Sequence, residues 1–339
     1  MTLLTSVLIV DDEPAVRDII SRWATALGLS ARTAANADEA IAMLRTKRCD
    51  LAVIDVRMPG RDGLWLAGEL RRDHPDTAVV LATAHTSLLD GEHSGPPIAD
   101  LLIKPFARER FAIAVERGRH WRKDALDEQS WQGRLAIELR DRIESICVEV
   151  GRQAEAGAHE TSVLSAMALA RTPGTMEHGE RVACHAAAVA RYLGLNDAAV
   201  AQLETVARFH DIGKLAIPDS LLNKPSLLTP SEQMIARRHV DAGAEILAST
   251  RTLHDAAVPV LATHEWFAGG GYPLGLAGDA IPLPARIVAV LDSYDAMTHS
   301  RHNRGRLDSS ETVSELLRCA GTQFDPAVVD ALLVVLGTH

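Results

Sequence analysis

VLIVDDE at residues 7–13 decides how the first part of the chain is read. An unbroken apolar run ends abruptly in three acids. A strand with one wet face would alternate; an unbroken run is buried on both faces, as in a parallel sheet. Similar runs are Leu51–Ile54, Ala78–Leu81 and Leu101–Ile103, with a weaker one near Ser30–Thr33. Helical patterns such as Ala15–Leu27 and Ala37–Leu44 lie between several of them. The alternation predicts an α/β, doubly wound, parallel five-stranded sheet with helices on both faces.

The chemistry of such sheets gathers at the carboxyl ends of the strands. Asp11 and Asp12 follow the first strand, Asp55 ends the third, Thr83 follows the fourth, and Lys104–Pro105 follows the fifth. Three converging carboxylates repel unless a cation sits among them, and hard oxygen ligands suit Mg²⁺. Asp55 could then attack a phosphoryl group, with Lys104 and the Thr83 hydroxyl binding its oxygens.

This region resembles the receiver domain of two-component response regulators. The matching pieces are VLIVDDE (7–13), LAVIDVRMPGRDG (51–63), Thr83–Ala84 and KPF (104–106). The resemblance implies that Asp55 is the phosphoacceptor and that Asp11 and Asp12 hold Mg²⁺. It also implies a cis Lys104–Pro105 bond and a cognate sensor histidine kinase. Leu101 replaces the aromatic switch residue often found there. Asp90–Gly91 and Ser94–Gly95–Pro96–Pro97 predict a short or irregular fourth helix between Thr86 and Asp100, so receiver pairing through that face is not expected.

The chain has 339 residues, enough for two ordinary domains. Its net charge of −10 argues against a general DNA or RNA binder. Cys49, Cys147, Cys184 and Cys319 are far apart and form no CxxC pair, which suggests reduced thiols. No secretory leader is evident, and no run reaches the roughly 18 apolar residues of a membrane span. A cytoplasmic protein without membrane attachment is expected.

Residues 1–120 are read as the receiver, 121–160 as a helical connector and 161–339 as a second domain. In the connector, Leu126, Trp131, Leu135, Leu139, Ile143, Ile146 and Val150 recur mostly at three- and four-residue steps. Gly133 and Gly151 interrupt the pattern. The expectation is helices that pair with a second subunit in a homodimer and carry the signal; the alternative is a hairpin packed within one chain.

The second domain reads as all-helical. Asp197–Asp211 is amphipathic, and Leu253–Thr263 is a further helix candidate. Thr229–Glu232 is a capping box opening a helix expected to reach about Leu247, with His239 mid-helix. Another helix opens at Pro284 and runs to Met297, carrying Asp292 and, one turn on, Asp295. His178, His210–Asp211, His239, His264 and Asp292 mix imidazole and carboxylate, a donor set for Fe, Mn, Zn or similar ions. Two such ions could hold a hydroxide for in-line attack on a phosphodiester, with Asp211 as the natural bridge.

This half resembles the HD-GYP family, a branch of the HD phosphohydrolases. The resemblance rests on HGERVA (178–183), HDIGKLAIPDSLLNKP (210–225), HVDAGAEIL (239–247), GYPLGL (271–276), IPLPARIVAVLDSYDAMT (281–298) and GTQFDP (321–326). It implies hydrolysis of cyclic di-GMP to pGpG or GMP. It implies metal ligands at His178, His210, Asp211, His239, His264 and Asp292. Lys214 is then the contact to the scissile phosphate, and Arg301 and Arg304 bind phosphate. Independently, His299–Arg306 is the densest basic stretch of this half. Gly269–Gly270–Gly271–Tyr272–Pro273 must be a loop, its glycines permitting close approach to a ligand; Tyr272 lines the pocket or a partner surface. Thr263 stands where the family usually has a histidine, Ala268 replaces an aspartate, Gly174 replaces a glutamate and Asn303 an aromatic. These departures imply two metals rather than three, with the second less firmly held. The reading is a response regulator with phosphodiesterase output. The rivals are another cyclic-nucleotide substrate, or a weakly catalytic module recruiting a signalling protein such as a diguanylate cyclase.

Overall fold

The apolar runs form β1 (Ser6–Val10), β2 (Ser30–Ala34), β3 (Leu51–Asp55), β4 (Ala78–Thr83) and β5 (Asp100–Ile103). All pair in parallel in the order β2-β1-β3-β4-β5. The computed structural model describes residues 4–84, 97–172, 174–299 and 307–337. It divides into two units, Met1–Trp131 and Gln132–His339. The stretch expected to hold a short fourth receiver helix lies mostly outside the described residues.

The period of two explains why the strands are apolar throughout. Leu8, Val10, Ala52, Ile54, Val79 and Leu81 face one side, where α2 (Ala37–Thr46) and α3 (Gly63–Asp73) bring Ala40, Leu44, Leu66 and Leu70. Val7, Ile9, Leu51, Val53, Val80 and Ala82 face the other, under Ile20 and Ala24 of α1 (Pro14–Ala26) and Phe111, Ala114 and Val115 of α4 (Arg108–Glu155). In the three central strands β1, β3 and β4 almost every residue is buried by one layer or the other, so both parities are apolar up to the strand ends, whereas the edge strands β2 and β5 are only partly covered. The Asn36 and Asp62 side chains cap α2 and α3. Chain order reverses between β1 and β3, which leaves a crevice at their carboxyl ends.

Helix α4 runs unbroken through Gly133 and Gly151, against the expected interruptions. A helix-interior glycine costs only about 1 kcal/mol relative to alanine, and buried neighbours offset it. Leu135, Leu139, Ile143, Ile146 and Val150 are buried within the single chain. The stripe from Leu135 to Val150 is therefore covered internally, as in the alternative reading, while Leu126 and Trp131 at its start are half-buried.

The second unit continues with α5 (Glu160–Arg171), α6 (Thr175–Tyr192), α7 (Asp197–Phe209), a 3-10 turn (Ile212–Ala216) and α8 (Asp219–Leu222). Then come α9 (Pro230–Arg237), α10 (His239–Ala248), α11 (Ala257–Leu261), α12 (Leu283–Thr298), α13 (Ser309–Cys319) and α14 (Pro326–Leu336). The Thr229–Glu232 capping box is present. The helix it opens does not reach Leu247: it breaks at Arg238, and His239 begins α10 instead of lying mid-helix.

Close packing explains the break and sets up the site. A Cβ on Gly213 would stand 1.8 Å from His239 O and 2.4 Å from Gly243 N, so the start of α10 rests on the 3-10 turn. A Cβ on Gly179 would stand 2.4 Å from Arg208 O, so α6 crosses α7 at backbone contact. These contacts draw His239 and His178 towards His210–Asp211.

Candidate functional site

At the crevice of the first unit, Asp11, Asp12 and Asp55 offer carboxylate oxygens all within 4.8 Å of one another. Asp11 and Asp55 are buried and Asp12 is exposed. Lys104 Nζ lies 2.7 Å from Asp11 Oδ2 and 2.9 Å from Asp55 Oδ1. Burial raises the Asp55 carboxyl above its ordinary value even though Lys104 opposes this. Burial lowers Lys104, but its bonds to Asp11 and Asp55 outweigh that and raise it, so it stays a cation. Thr83 is buried at the end of β4, and the Lys104–Pro105 bond is cis. The arrangement supplies a carboxylate nucleophile, a cation beside it and an oxygen site for a hard metal.

The second unit brings the end of α7, the starts of α6 and α10, the loop after α11 and the middle of α12 to one place. His178, His210 and Asp292 present ligand atoms within 4.8 Å of one another. His178 Nε2 is 3.1 Å from Asp292 Oδ1, and His210 Nε2 is 4.0 Å from the same oxygen. Both Nε2 atoms are buried, and among the described residues neither makes a hydrogen bond of good geometry. Orphaned buried nitrogens beside a carboxylate are what a bound transition ion would satisfy. His239 and His264 form the other side, their Nε2 atoms 3.1 Å apart.

Asp211 joins the two sides. Its Oδ2 is 3.6 Å from His210 Nε2, and its Oδ1 is 3.6 Å from His239 Nε2. Burial alone would raise its carboxyl, but Lys214, His210 and His239 together hold it well below the carboxylate range. Asp292 is likewise held low, burial being outweighed by His178 and His210. Burial lowers His178, yet the carboxylates of Asp292 and Asp295 beside it bring it up to about 9, so an ion here would displace a proton. Burial pushes His239 down to about 4 and also lowers His264, leaving neutral imidazoles suited to ligation.

The nitrogens facing away are fixed as well, which orients the rings. His178 Nδ1 meets Asp295 Oδ2 at 2.6 Å, and Arg181 holds both oxygens of Asp295 at 2.7 and 2.8 Å. His210 Nδ1 meets Ala207 O at 2.8 Å and His239 Nδ1 meets Ala236 O at 2.9 Å. Asp295 was visible in the sequence as a carboxylate one turn beyond Asp292; nothing there marked Arg181.

Lys214 bonds Asp211 Oδ2 and stays partly exposed at the rim. A groove of about 390 Å³ opens beside it, lined by Ile217, Leu221, Leu228, Arg237 and Tyr272 among others. Tyr272 stacks on His264, and burial pushes its phenol up to about 12. The Tyr272 loop is pinned by buried Glu265, which accepts from the backbone N–H of Leu274, Gly275 and Leu276 at 2.6–3.1 Å. Gly271 makes a close approach to its own chain: a Cβ there would lie 2.3 Å from Trp266 N. Thr263 Oγ1, just beyond α11, donates to Val260 O at 2.9 Å, turning back onto the end of that helix. Arg301, Arg304 and Asn303 lie outside the described residues.

The response regulator receiver domain family matches residues 7–116, and the HD domain family matches residues 162–328. The cyclic di-GMP phosphodiesterase response regulator RpfG of Xanthomonas campestris pv. campestris is 33% identical over 344 residues, spanning 97% of this chain and 87% of that protein. A cyclic di-GMP phosphodiesterase of Thermotoga maritima is 29% identical over 332 residues, spanning 97% of this chain and 89% of its own. A 3'3'-cGAMP-specific phosphodiesterase of Vibrio cholerae is 33% identical over 201 residues, spanning 59% of this chain and 36% of its own. Aligned along nearly all of its length with such a relative, and matched in both halves, this chain belongs to the family of response regulators that carry a receiver domain followed by an HD domain.

Proposed function

We propose that this protein hydrolyses cyclic di-GMP to pGpG or GMP under the control of phosphorylation at Asp55 by a sensor histidine kinase. The observation that carries the reading is Asp211, whose two oxygens face different histidine sets. His178, His210, Asp292 and Asp211 would hold one ion; His239, His264 and Asp211 would hold the other. Bound there, two transition ions such as Fe or Mn supply a water nucleophile and neutralise charge developing on phosphorus. Lys214, partly exposed beside Asp211, would bind a phosphate oxygen of the substrate. The apolar wall of Ile217, Leu221 and Leu228 receives a nucleobase, and Arg301 and Arg304 bind phosphate. In the receiver, Asp11, Asp12 and Asp55 would hold Mg²⁺, and Lys104 and Thr83 would bind the phosphoryl oxygens.

The test is cyclic di-GMP hydrolysis by the full chain loaded with Mn²⁺ or Fe²⁺, with Asp211→Ala as control, before and after beryllofluoride treatment. Turnover that Asp211→Ala abolishes is expected, with a rate that beryllofluoride changes. Full loading with no turnover would sink the enzymatic reading; a rate indifferent to beryllofluoride would sink the regulatory one. Thr263 favours a second reading. With its hydroxyl bonded to Val260 O, the His239 side has one fewer donor. A chain that holds this ion weakly could serve as a module recruiting a diguanylate cyclase.

A further inference from the structure

Three of the four histidines around Asp211 are oriented by a hydrogen bond at Nδ1: His178 by Asp295, His210 by Ala207 O and His239 by Ala236 O. His264 has no such bond among the described residues; its single side-chain hydrogen-bond contact is Nε2 to His239 Nε2. A ring in this position still has to be held against rotation about its side-chain torsions if Nε2 is to stay aimed at an ion. What it has is Tyr272. The two rings lie nearly parallel, 11° apart, with centroids 5.0 Å from each other. The guanidinium of Arg237 lies 4.9 Å from the centroid of the same tyrosine, on the groove side of the site. The tyrosine cannot swing away freely, because Tyr272 N donates to His264 O at 3.2 Å and the following residues are tied to Glu265.

We propose that Tyr272 is a positioning residue for His264: its ring face does for this ligand what a hydrogen bond at Nδ1 does for the other three. Arg237, over the tyrosine, completes the stack and links the wall of the groove to the ion on the His239 side. The role belongs to the ring face and not to the phenol, which makes no hydrogen bond among the described residues. The inference rests on the metal reading of the site and not on the identity of the substrate. It makes the half of the centre that lacks a donor at Thr263 depend on an aromatic in the loop.

The test uses the full-length chain, stripped with a chelator and reloaded with Mn²⁺, with bound metal per chain counted by elemental analysis across a titration. With the receiver carboxylates Asp11, Asp12 and Asp55 kept filled by excess Mg²⁺, the parent binds two equivalents of Mn²⁺. Tyr272→Leu is expected to weaken the second equivalent about 10- to 100-fold, as loss of an orienting partner does elsewhere, and to leave the first unchanged. Tyr272→Phe restores the parent curve. Thermal unfolding of the metal-free variants controls for the fold. Should Tyr272→Leu not fold, Arg237→Ala replaces it, leaving the ring in place and weakening the second equivalent about 2- to 5-fold. A Tyr272→Leu protein that binds both equivalents like the parent overturns the inference alone. Equal loss of both equivalents, or a Tyr272→Phe curve matching Tyr272→Leu, also overturns it. A parent that binds no second equivalent overturns it together with the metal reading.

Discussion

The backbone of Gly213 lies against the carbonyl of His239 so closely that a Cβ on the glycine would stand 1.8 Å from that oxygen. No side-chain adjustment relieves such a clash, because both partners are main chain. Gly213→Ala should therefore push α10 off the 3-10 turn. Overpacking of this kind costs about 1–3 kcal/mol or more. For a unit of this size that is a fall in Tm of roughly 2–4 °C per kcal/mol. Thermal unfolding checks it, and a midpoint equal to that of the parent would contradict the packing.

Asp211→Asn removes the negative charge between the two histidine sets while keeping the shape. Losing an outer-shell partner of a metal ligand typically costs 10- to 100-fold, so losing a shared ligand should exceed about 100-fold in turnover. Bound metal should fall in parallel. Full metal content at normal affinity would show that the carboxylate is not shared.

Asp295→Asn keeps a side chain of the same size but weakens the bond to His178 Nδ1 and the paired bonds from Arg181. A loss of about 10- to 100-fold in metal affinity is expected, confined to the ion held by His178. Metal titration of the variant decides it; an unchanged curve would reduce Asp295 to a structural ion-pair partner.

Glu160, far from the metal site in sequence, gives a pH prediction. Burial raises its carboxyl, but the N–H groups of Arg251 and Thr252 and the Thr252 hydroxyl outweigh burial and hold it below the usual glutamate range. A depressed folded pKa means the contribution is present above the unfolded value of about 4.3 and is lost as pH falls through the folded value. Glu160→Gln should cost about 1 kcal/mol near neutral pH, and the Tm gap to the parent should close below about pH 4. A gap that persists at low pH would mean that the ionised carboxylate is not what anchors Arg251 and Thr252.

The receiver fold was legible because each informative residue sits directly after an apolar run, so strand ends and chemistry are read together. Five strands, their parallel pairing and the convergence of Asp11, Asp12, Asp55 and Lys104 follow from that. In the helical half the donor residues could be picked out, but not what separates or orients them. Helical periodicity continues across Arg238, so the break before His239 has no local signal; it is imposed by Gly213, some 25 residues earlier in the chain. An apolar stripe does not say what covers it, which is why Leu135 to Val150 could be assigned to a partner subunit when the chain itself buries them. Arg181 and the Tyr272 stack are likewise products of tertiary packing.

The four histidines around Asp211 differ in what a substitution can reach. His210 and His239 are anchored to main-chain oxygens three residues earlier in their own segments, and no exchange of a neighbouring side chain removes those anchors. His178 and His264 lean on the side chains of Asp295 and Tyr272. Each histidine pair thus joins one ring fixed by main chain to one held by a side chain, so the aim of His178 or His264 can be altered by substituting Asp295 or Tyr272 without replacing a histidine.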